Sequence, residues 1–198
     1  MTAEQPLQAH TINEVMYYLS VTPCRACGKG PLVPAPRHPS FTPGEPFELV
    51  GECSRCGESH AMRFICDRSP AEDWPDSERI NPADEPSRIV GLAQWLSLFY
   101  TLVEHATGQG PVASRRTGLH AALCIEEALK FYDADDEMPP PQAFLSAKGR
   151  DAFEHQPEKF SQSHLRAMRD KLPSLQTITR RIERDVNPPK KKWWQFWR

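Results

Sequence analysis

Four of the six cysteines in this chain form two pairs, each spaced C-x-x-C and each followed directly by glycine. The pairs are Cys24 with Cys27 and Cys53 with Cys56, and residues 28–52 lie between them. Four thiolates in two such pairs are the ligand set of a tetrahedral metal site, for which Zn²⁺ is the most common ion. The glycines permit the sharp turns that aim backbone N–H groups at sulfur. We therefore predict one structural Zn²⁺, with two disulfides or unrelated free thiols as the alternative.

The segments around these cysteines predict the elements that position them. Residues 47–52 and 60–65 have the composition of strands and flank the second cysteine pair, which predicts a β-hairpin. Residues 11–20 carry apolar side chains at helical spacing, and Thr11 with Glu14 predicts a capping box at the start of that helix. Residues 31–46 contain six prolines, which favour an extended loop over a central strand.

This arrangement resembles the zinc-ribbon families over about residues 20–66. The resemblance implies that one zinc ion is held by Cys24, Cys27, Cys53 and Cys56. Rubredoxins share C-x-x-C-G knuckles and bind iron, but this chain has prolines and Arg37 in place of their acidic and aromatic loop, which favours zinc. Zinc ribbons occur in nucleic-acid-binding proteins, enzymes and adaptors, so the resemblance does not fix a function.

The rest of the chain predicts helices after a linker. Residues 67–86 are acidic and rich in proline, and we place a domain boundary there. Helical periodicity follows in residues 89–103, 113–132, 142–155, 161–172 and 174–186. The segment 89–103 is apolar nearly all round, which predicts a helix in the middle of a bundle. Cys66 and Cys124 are predicted to be small core residues.

The predicted fold class is α+β, with a small four-cysteine zinc ribbon followed by an all-α helical bundle. The predicted organisation is an N-terminal helix and ribbon (1–66), a linker (67–86), a helical bundle (87–186) and a basic, tryptophan-rich tail (187–198).

The C-terminal tail combines basic and aromatic residues behind two prolines. Its candidate docking residues are Lys190, Lys191, Lys192, Trp193, Trp194, Phe196, Trp197 and Arg198. Residues 161–198 hold ten Lys and Arg against three Asp and Glu, although the whole chain has a net charge of −2. Trp and Phe favour the bilayer interface, and Lys and Arg favour anionic headgroups. We expect the tail to contact an anionic membrane surface, with a hydrophobic groove on a partner protein as the competing target.

Evidence for catalysis is weak. Some HEPN helical domains are ribonucleases with an R-x-x-x-x-H motif, and the helical part resembles them weakly through that pattern. The pattern occurs at Arg115/His120, at Arg150/His155 and, across the second cysteine pair, at Arg55/His60. Sixteen arginines and seven histidines make chance matches expected. Phosphate-binding loops, nucleophile elbows and zinc-protease motifs are absent from the sequence. We therefore predict no catalytic residue and identify no small-molecule substrate.

The sequence as a whole favours a non-enzymatic zinc-binding adaptor that docks through its tail. The alternatives are a HEPN-like metal-independent ribonuclease and a nucleic-acid-binding zinc-ribbon protein that uses Arg25, Arg37, Arg55 and Arg63. The acidic body argues against nucleic acid as the main partner. Because there is no signal peptide or long apolar run, and because reduced cysteines suit the cytosol, we expect a cytoplasmic protein that is peripheral at the membrane inner face.

Overall fold

The computed structural model describes residues 5–34, 40–68 and 79–172, and these ranges have a mixed α+β architecture. The strands are β1 (Leu7–Ala9), β2 (Leu32–Pro34), β3 (Pro46–Cys53) and β4 (Ser59–Cys66). The helices are α1 (Ile12–Val21), α2 (Leu92–Thr107), α3 (Pro111–Leu129), α4 (Ala147–His155) and α5 (Gln162–Asp170), with 3-10 turns at Pro141–Ala143 and Pro157–Phe160.

The four strands form one sheet in the order β1-β4-β3-β2. β3 and β4 are the antiparallel hairpin that the sequence predicts, with Leu49 opposite Met62. Alternate residues of both strands are buried, so the sheet has one covered face and one open face. The short strands β1 and β2 were not predicted, since three residues carry too little alternation to be recognised. β2 corrects the expectation of a plain loop, and its Pro34 is tolerated because β2 is an edge strand.

Helix α1 begins with the predicted capping box. The Glu14 N–H donates to the Thr11 hydroxyl oxygen, and the Glu14 carboxylate accepts from the backbone N–H groups of His10 and Thr11. Both Thr11 and Glu14 are fully buried. The Thr11 hydroxyl also donates to the carbonyl of Ile80 at 2.8 Å. The helix cap therefore joins α1 to a segment some seventy residues further along the chain.

The end of the predicted linker is packed against helix α3. The backbone N–H of Asn81 donates to Glu127 Oε1 at 3.1 Å. Lys130 Nζ donates to the same carboxylate oxygen at 2.8 Å, and to the carbonyls of Asn81 and Ala83 at 2.6 and 2.9 Å. Ile80 and Asn81 are buried. The boundary within residues 67–86 stays a prediction, because residues 69–78, which include Trp74, lie outside the described residues.

Buried apolar side chains from the sheet, α1 and the later helices form one hydrophobic cluster. The ring of Tyr17 on α1 lies 5.5 Å from that of Trp95 on α2, centroid to centroid. The buried residues of α2 lie in its first half, whereas Tyr100 and Val103 are 48% and 38% exposed. The prediction of a wholly central helix is therefore correct only for the first half. The packing that covers this half includes the Trp95 contact with α1 and the close approach of Ala93 to Gly149 on α4.

The remaining helix predictions have mixed outcomes. The segment 142–155 is divided into a 3-10 turn and α4, which begins after its cap Ser146. Ser161 caps α5 as expected. Cys66 and Cys124 are fully buried, as predicted for core residues. The helix predicted for residues 174–186 lies outside the described residues. Across the three described ranges, every helix falls short of the length or hydrophobicity that a membrane span requires.

Glu127 gives this fold a testable dependence on pH. Burial raises the pKa of Glu127 to about 7, although Lys130 and the N–H of Asn81 act to lower it. A folded-state pKa above the ordinary value of 4.5 means that protonation stabilises the fold. This contribution is complete below about pH 4.5 and is lost as the pH rises towards 7.

The Glu127→Gln side chain stays neutral at every pH. We therefore expect the free energy of unfolding of this variant, relative to that of wild type, to increase by about 3 kcal/mol as the pH rises through that interval. Denaturant unfolding of both proteins at a series of pH values measures this difference, and any titration shared by both proteins cancels. A difference that stays constant with pH would show that Lys130 keeps Glu127 ionised throughout.

Candidate metal centre

The four cysteines of the two C-x-x-C-G motifs meet at one end of the sheet, and we call them the sulfur cluster. Their Sγ atoms all lie within 4.8 Å of one another. Cys24 and Cys56 are 3.6 Å apart, and Cys27 and Cys53 are 3.7 Å apart, sulfur to sulfur. Tetrahedral Zn–S bonds of about 2.3 Å place sulfurs about 3.8 Å apart, whereas a disulfide needs about 2.05 Å. All six cysteines are free, so these sulfurs form no disulfide, and the four of the cluster are grouped closely enough that they could hold a metal ion.

The two cysteine motifs fold into equivalent knuckles. In the first knuckle (residues 24–28), the N–H of Gly28 donates to the carbonyl of Cys24 at 2.7 Å. In the second (residues 53–57), the N–H of Gly57 donates to the carbonyl of Cys53 at 3.0 Å. Gly28 and Gly57 have φ values of +68° and +74°. A side chain is strained in this conformation, so the structure confirms the predicted need for glycine.

Backbone N–H groups point at the sulfurs, as metal-bound thiolates require. The N–H of Arg55 donates to Cys53 Sγ at 3.4 Å. At Cys27, the N–H groups of Gly30 and Lys29 lower the thiol pKa to about 6. These contacts stabilise negative charge on sulfur before any side chain takes part.

The fourth thiol shows the limit of that stabilisation. The N–H of Glu58 acts to lower the pKa of Cys56, but the adjacent Cys53, burial, Cys24 and Cys27 together raise it to about 12. Like charges this close oppose full ionisation of the set. A divalent cation among the sulfurs would remove that opposition, so the donor set fits a soft metal ion.

Gly30 is a site residue that sequence reasoning missed. A Cβ atom at this position would lie 2.5 Å from Cys53 Sγ, which is shorter than any real contact. Its carbonyl accepts from the N–H of Cys24 at 3.0 Å, so the residue links the two knuckles. The sequence does show a second glycine in Cys27-Gly28-Lys29-Gly30. The reason for this glycine is visible only in the folded chain, where the two knuckles lie together.

His60 was also missed, because the sequence presented it only as the end of a discounted R-x-x-x-x-H pattern. Its Nε2 atom lies 3.1 Å from Cys24 Sγ. A metal-bound thiolate carries no proton, so in that state the histidine must be the donor. The position follows from strand β4, which begins at Ser59, directly after the second knuckle.

Cys24 and Cys53 are buried, Cys27 is half-buried and Cys56 is exposed. Cys53 ends strand β3 and is the register partner of Leu32 on β2. The cluster therefore closes one end of the sheet and reaches the surface at Cys56.

The candidate nucleic-acid arginines do not form a uniformly basic face. Arg25 and Arg55 are exposed on the two knuckles. Arg63 is exposed on β4, but its register partner on β3 is Glu48. Arg37 lies outside the described residues. The open face of the hairpin therefore has mixed charge.

The R-x-x-x-x-H histidines have structural partners. His120 Nδ1 lies 2.6 Å from the hydroxyl of Tyr17, and burial of the ring followed by the charge of Arg116 lowers the pKa of His120. His155 Nδ1 lies 2.7 Å from the carbonyl of Asp151, and that hydrogen bond raises the pKa of His155.

Arg150 donates to the carbonyl of Phe144 at 3.0 Å. The candidate docking residues 190–198 of the tail lie outside the described residues.

The contact between His60 and Cys24 predicts that His60 strengthens metal binding. We expect His60→Ala to weaken metal affinity by about 10- to 100-fold, because the thiolate loses a hydrogen-bond donor. His60→Gln keeps an N–H donor at a similar reach and should retain most of the affinity. Competition with a chromogenic chelator measures the affinity, and His105→Ala, an exposed histidine on α2, is the control.

Cobalt substitution shows whether His60 acts as a hydrogen-bond donor or as a ligand. An unchanged sulfur-to-cobalt charge-transfer spectrum in His60→Ala is expected for a donor. A spectrum that changes its coordination pattern would make His60 a ligand, and unchanged affinity would remove its role.

Comparison of the chain with protein-family models, with curated proteins and with solved structures finds no match of any of the three kinds.

Proposed function

We propose that this chain is a zinc-binding interaction protein in which one Zn²⁺ is bound structurally by Cys24, Cys27, Cys53 and Cys56. The observation that supports this is the meeting of four sulfurs within 4.8 Å, with spacings close to those of a tetrahedral zinc–thiolate site. When bound, zinc supplies a cross-link between the two knuckles and neutralises charge on the thiolates.

Zinc is preferred to iron within this proposal. An all-thiolate tetrahedral set accepts either metal, so the sulfur geometry alone does not distinguish them. The chain between the knuckles has prolines and Arg37 where rubredoxins have an acidic and aromatic loop. This difference in composition supports a zinc ribbon.

Elemental analysis tests the metal directly. Protein purified from cells supplied with both metals should contain one zinc per chain and negligible iron. Cys27→Ser should lose most of the bound zinc, since it removes one of four thiolates. Cys66→Ser is the matched control, because Cys66 is buried outside the cluster and should leave the stoichiometry unchanged. Iron in the native protein, or equal zinc loss in both variants, would contradict the proposal.

The proposed role is that of an adaptor and not an enzyme. With four protein thiolates as ligands, the proposed metal site has no coordination position for a substrate or an activated water. His120 is engaged with Tyr17, and Arg150 with the carbonyl of Phe144, which is consistent with structural roles for the two helical R-x-x-x-x-H pairs. These contacts support the adaptor over the ribonuclease alternative.

Docking is assigned in this proposal to the C-terminal tail, residues 190–198, with an anionic membrane surface as the preferred target. Support comes from its composition, in which a run of three lysines precedes three tryptophans and one phenylalanine. Each basic residue near an acidic membrane contributes about 1 kcal/mol, and this share is weakened by salt. Aromatic side chains at the interface would supply a share that persists in salt.

Liposome co-sedimentation tests the tail. The full chain should sediment with anionic vesicles more than with neutral ones, and a chain ending at Pro189 should remain in the supernatant. Equal sedimentation of the two chains would remove the membrane target and leave the protein groove. Melting temperature is the control measurement, because a drop of several degrees on truncation would show that the tail belongs to the fold.

A further inference from the structure

A cleft of about 640 Å³ lies between the first knuckle and the helices. Its walls come from four separate parts of the chain, namely the end of α1, the first knuckle with the residues after it, α2 and the start of α4. The residues that carry the argument are Lys29, Gln94, Ser97, Leu98 and Lys148. The volume lies within the range of about 300–1,000 Å³ typical of small-molecule sites.

The charged side chains that line the cleft are basic. Lys29 and Lys148 line it from the knuckle and from α4, and none of the lining residues within the described ranges is Asp or Glu. The whole chain has a net charge of −2, so this lining departs from the average of the protein. Both lysines are exposed, and within the described ranges no carboxylate forms an ion pair with either one. The cleft therefore offers two uncompensated cations from different walls.

Two other polar side chains of the cleft can also donate hydrogen bonds. Gln94 uses its Oε1 atom to accept from the N–H of Gly91, which leaves its amide NH₂ group available. Ser97 contributes a hydroxyl group, and its carbonyl is already used by Thr101. A ligand that accepts hydrogen bonds and carries negative charge would satisfy these groups.

Small and apolar residues form the rest of the cleft. A Cβ on Gly149 would lie 3.0 Å from the Cβ of Ala93, so glycine is what allows α4 to approach α2 this closely. Leu98 and Val21 add apolar surface to the lining. The cleft can therefore hold an uncharged, partly apolar body beside its charged groups.

We propose that this cleft binds a small phosphorylated molecule about the size of a nucleotide, with its phosphate between Lys29 and Lys148. Lysine binds phosphate as a compact point charge, and two lysines from separate parts of the lining suit a group with more than one negative charge. This site adds a ligand to the proposed interaction protein and uses none of the tail residues.

The wall formed by the first knuckle connects the cleft to the metal centre. Gly28, Lys29 and Gly30 line the cleft, and the N–H groups of Lys29 and Gly30 stabilise the Cys27 thiolate. Loss of metal should therefore displace this wall and weaken ligand binding. The zinc content of each variant must be measured beside its affinity, so that a failure of the metal site is distinguished from a failure of the cleft.

Isothermal titration of the full, zinc-loaded chain with AMP, ATP, inositol trisphosphate, inorganic phosphate and adenosine tests the proposal. At least one phosphorylated organic probe should bind, and adenosine should not. A preference for AMP or ATP would indicate a nucleotide, and a preference for inositol trisphosphate would indicate a lipid headgroup. Added salt should weaken binding because the contact is electrostatic.

Variants locate the binding in the cleft. Lys29→Gln and Lys148→Gln should each weaken binding by about 10-fold, while Lys159→Gln, with the same loss of charge outside the cleft, should bind as wild type does. Ser97→Trp should block the cleft without changing its charge. Absence of binding by every phosphorylated probe at millimolar concentration, equal binding of adenosine, or equal weakening by Lys159→Gln would each overturn the proposal.

Discussion

The close approach of four cysteine sulfurs is the constraint on which one end of the sheet depends. The Cys56 thiol resists ionisation because Cys53, Cys24 and Cys27 surround it. By contrast, the glycine turns and the backbone N–H groups near the sulfurs favour negative charge on them. Four thiolates held this close together would be stabilised by a cation among them. The local backbone therefore suits a bound metal ion.

A second kind of contact joins buried polar side chains to the backbone of residues 80–81. Glu127 of α3 and Lys130, the residue after its end, bind the backbone of Asn81, and Thr11 at the start of α1 binds the carbonyl of Ile80. Groups of this kind are costly to bury without partners, so each contact fixes a geometry more strictly than apolar packing does. Residues 80–81 consequently serve as a shared anchor for two helices that are remote in sequence.

Prediction from the sequence succeeded where a pattern is local. The capping box of Thr11 and Glu14, the hairpin around the second knuckle and each of the two C-x-x-C-G motifs are recognised from residues a few positions apart. It failed where the signal is distributed over distant segments. Gly30 matters because of Cys53, and His60 matters because of Cys24, and neither pairing is visible until the chain is folded. Strand β1 is too short to show a period, and Ile80 sits in a segment whose prolines and acids resemble a linker.

Strand β1 also bears on the order in which the chain folds. It lies parallel to β4, with Leu7 opposite Phe64, so this pairing joins residues 57 positions apart in the chain. The β3–β4 hairpin is local and forms its contacts early, and until β1 arrives the outer edge of β4 presents unpaired backbone groups. Loss of strand β1 should therefore leave that edge of β4 open to pairing with another copy of the chain.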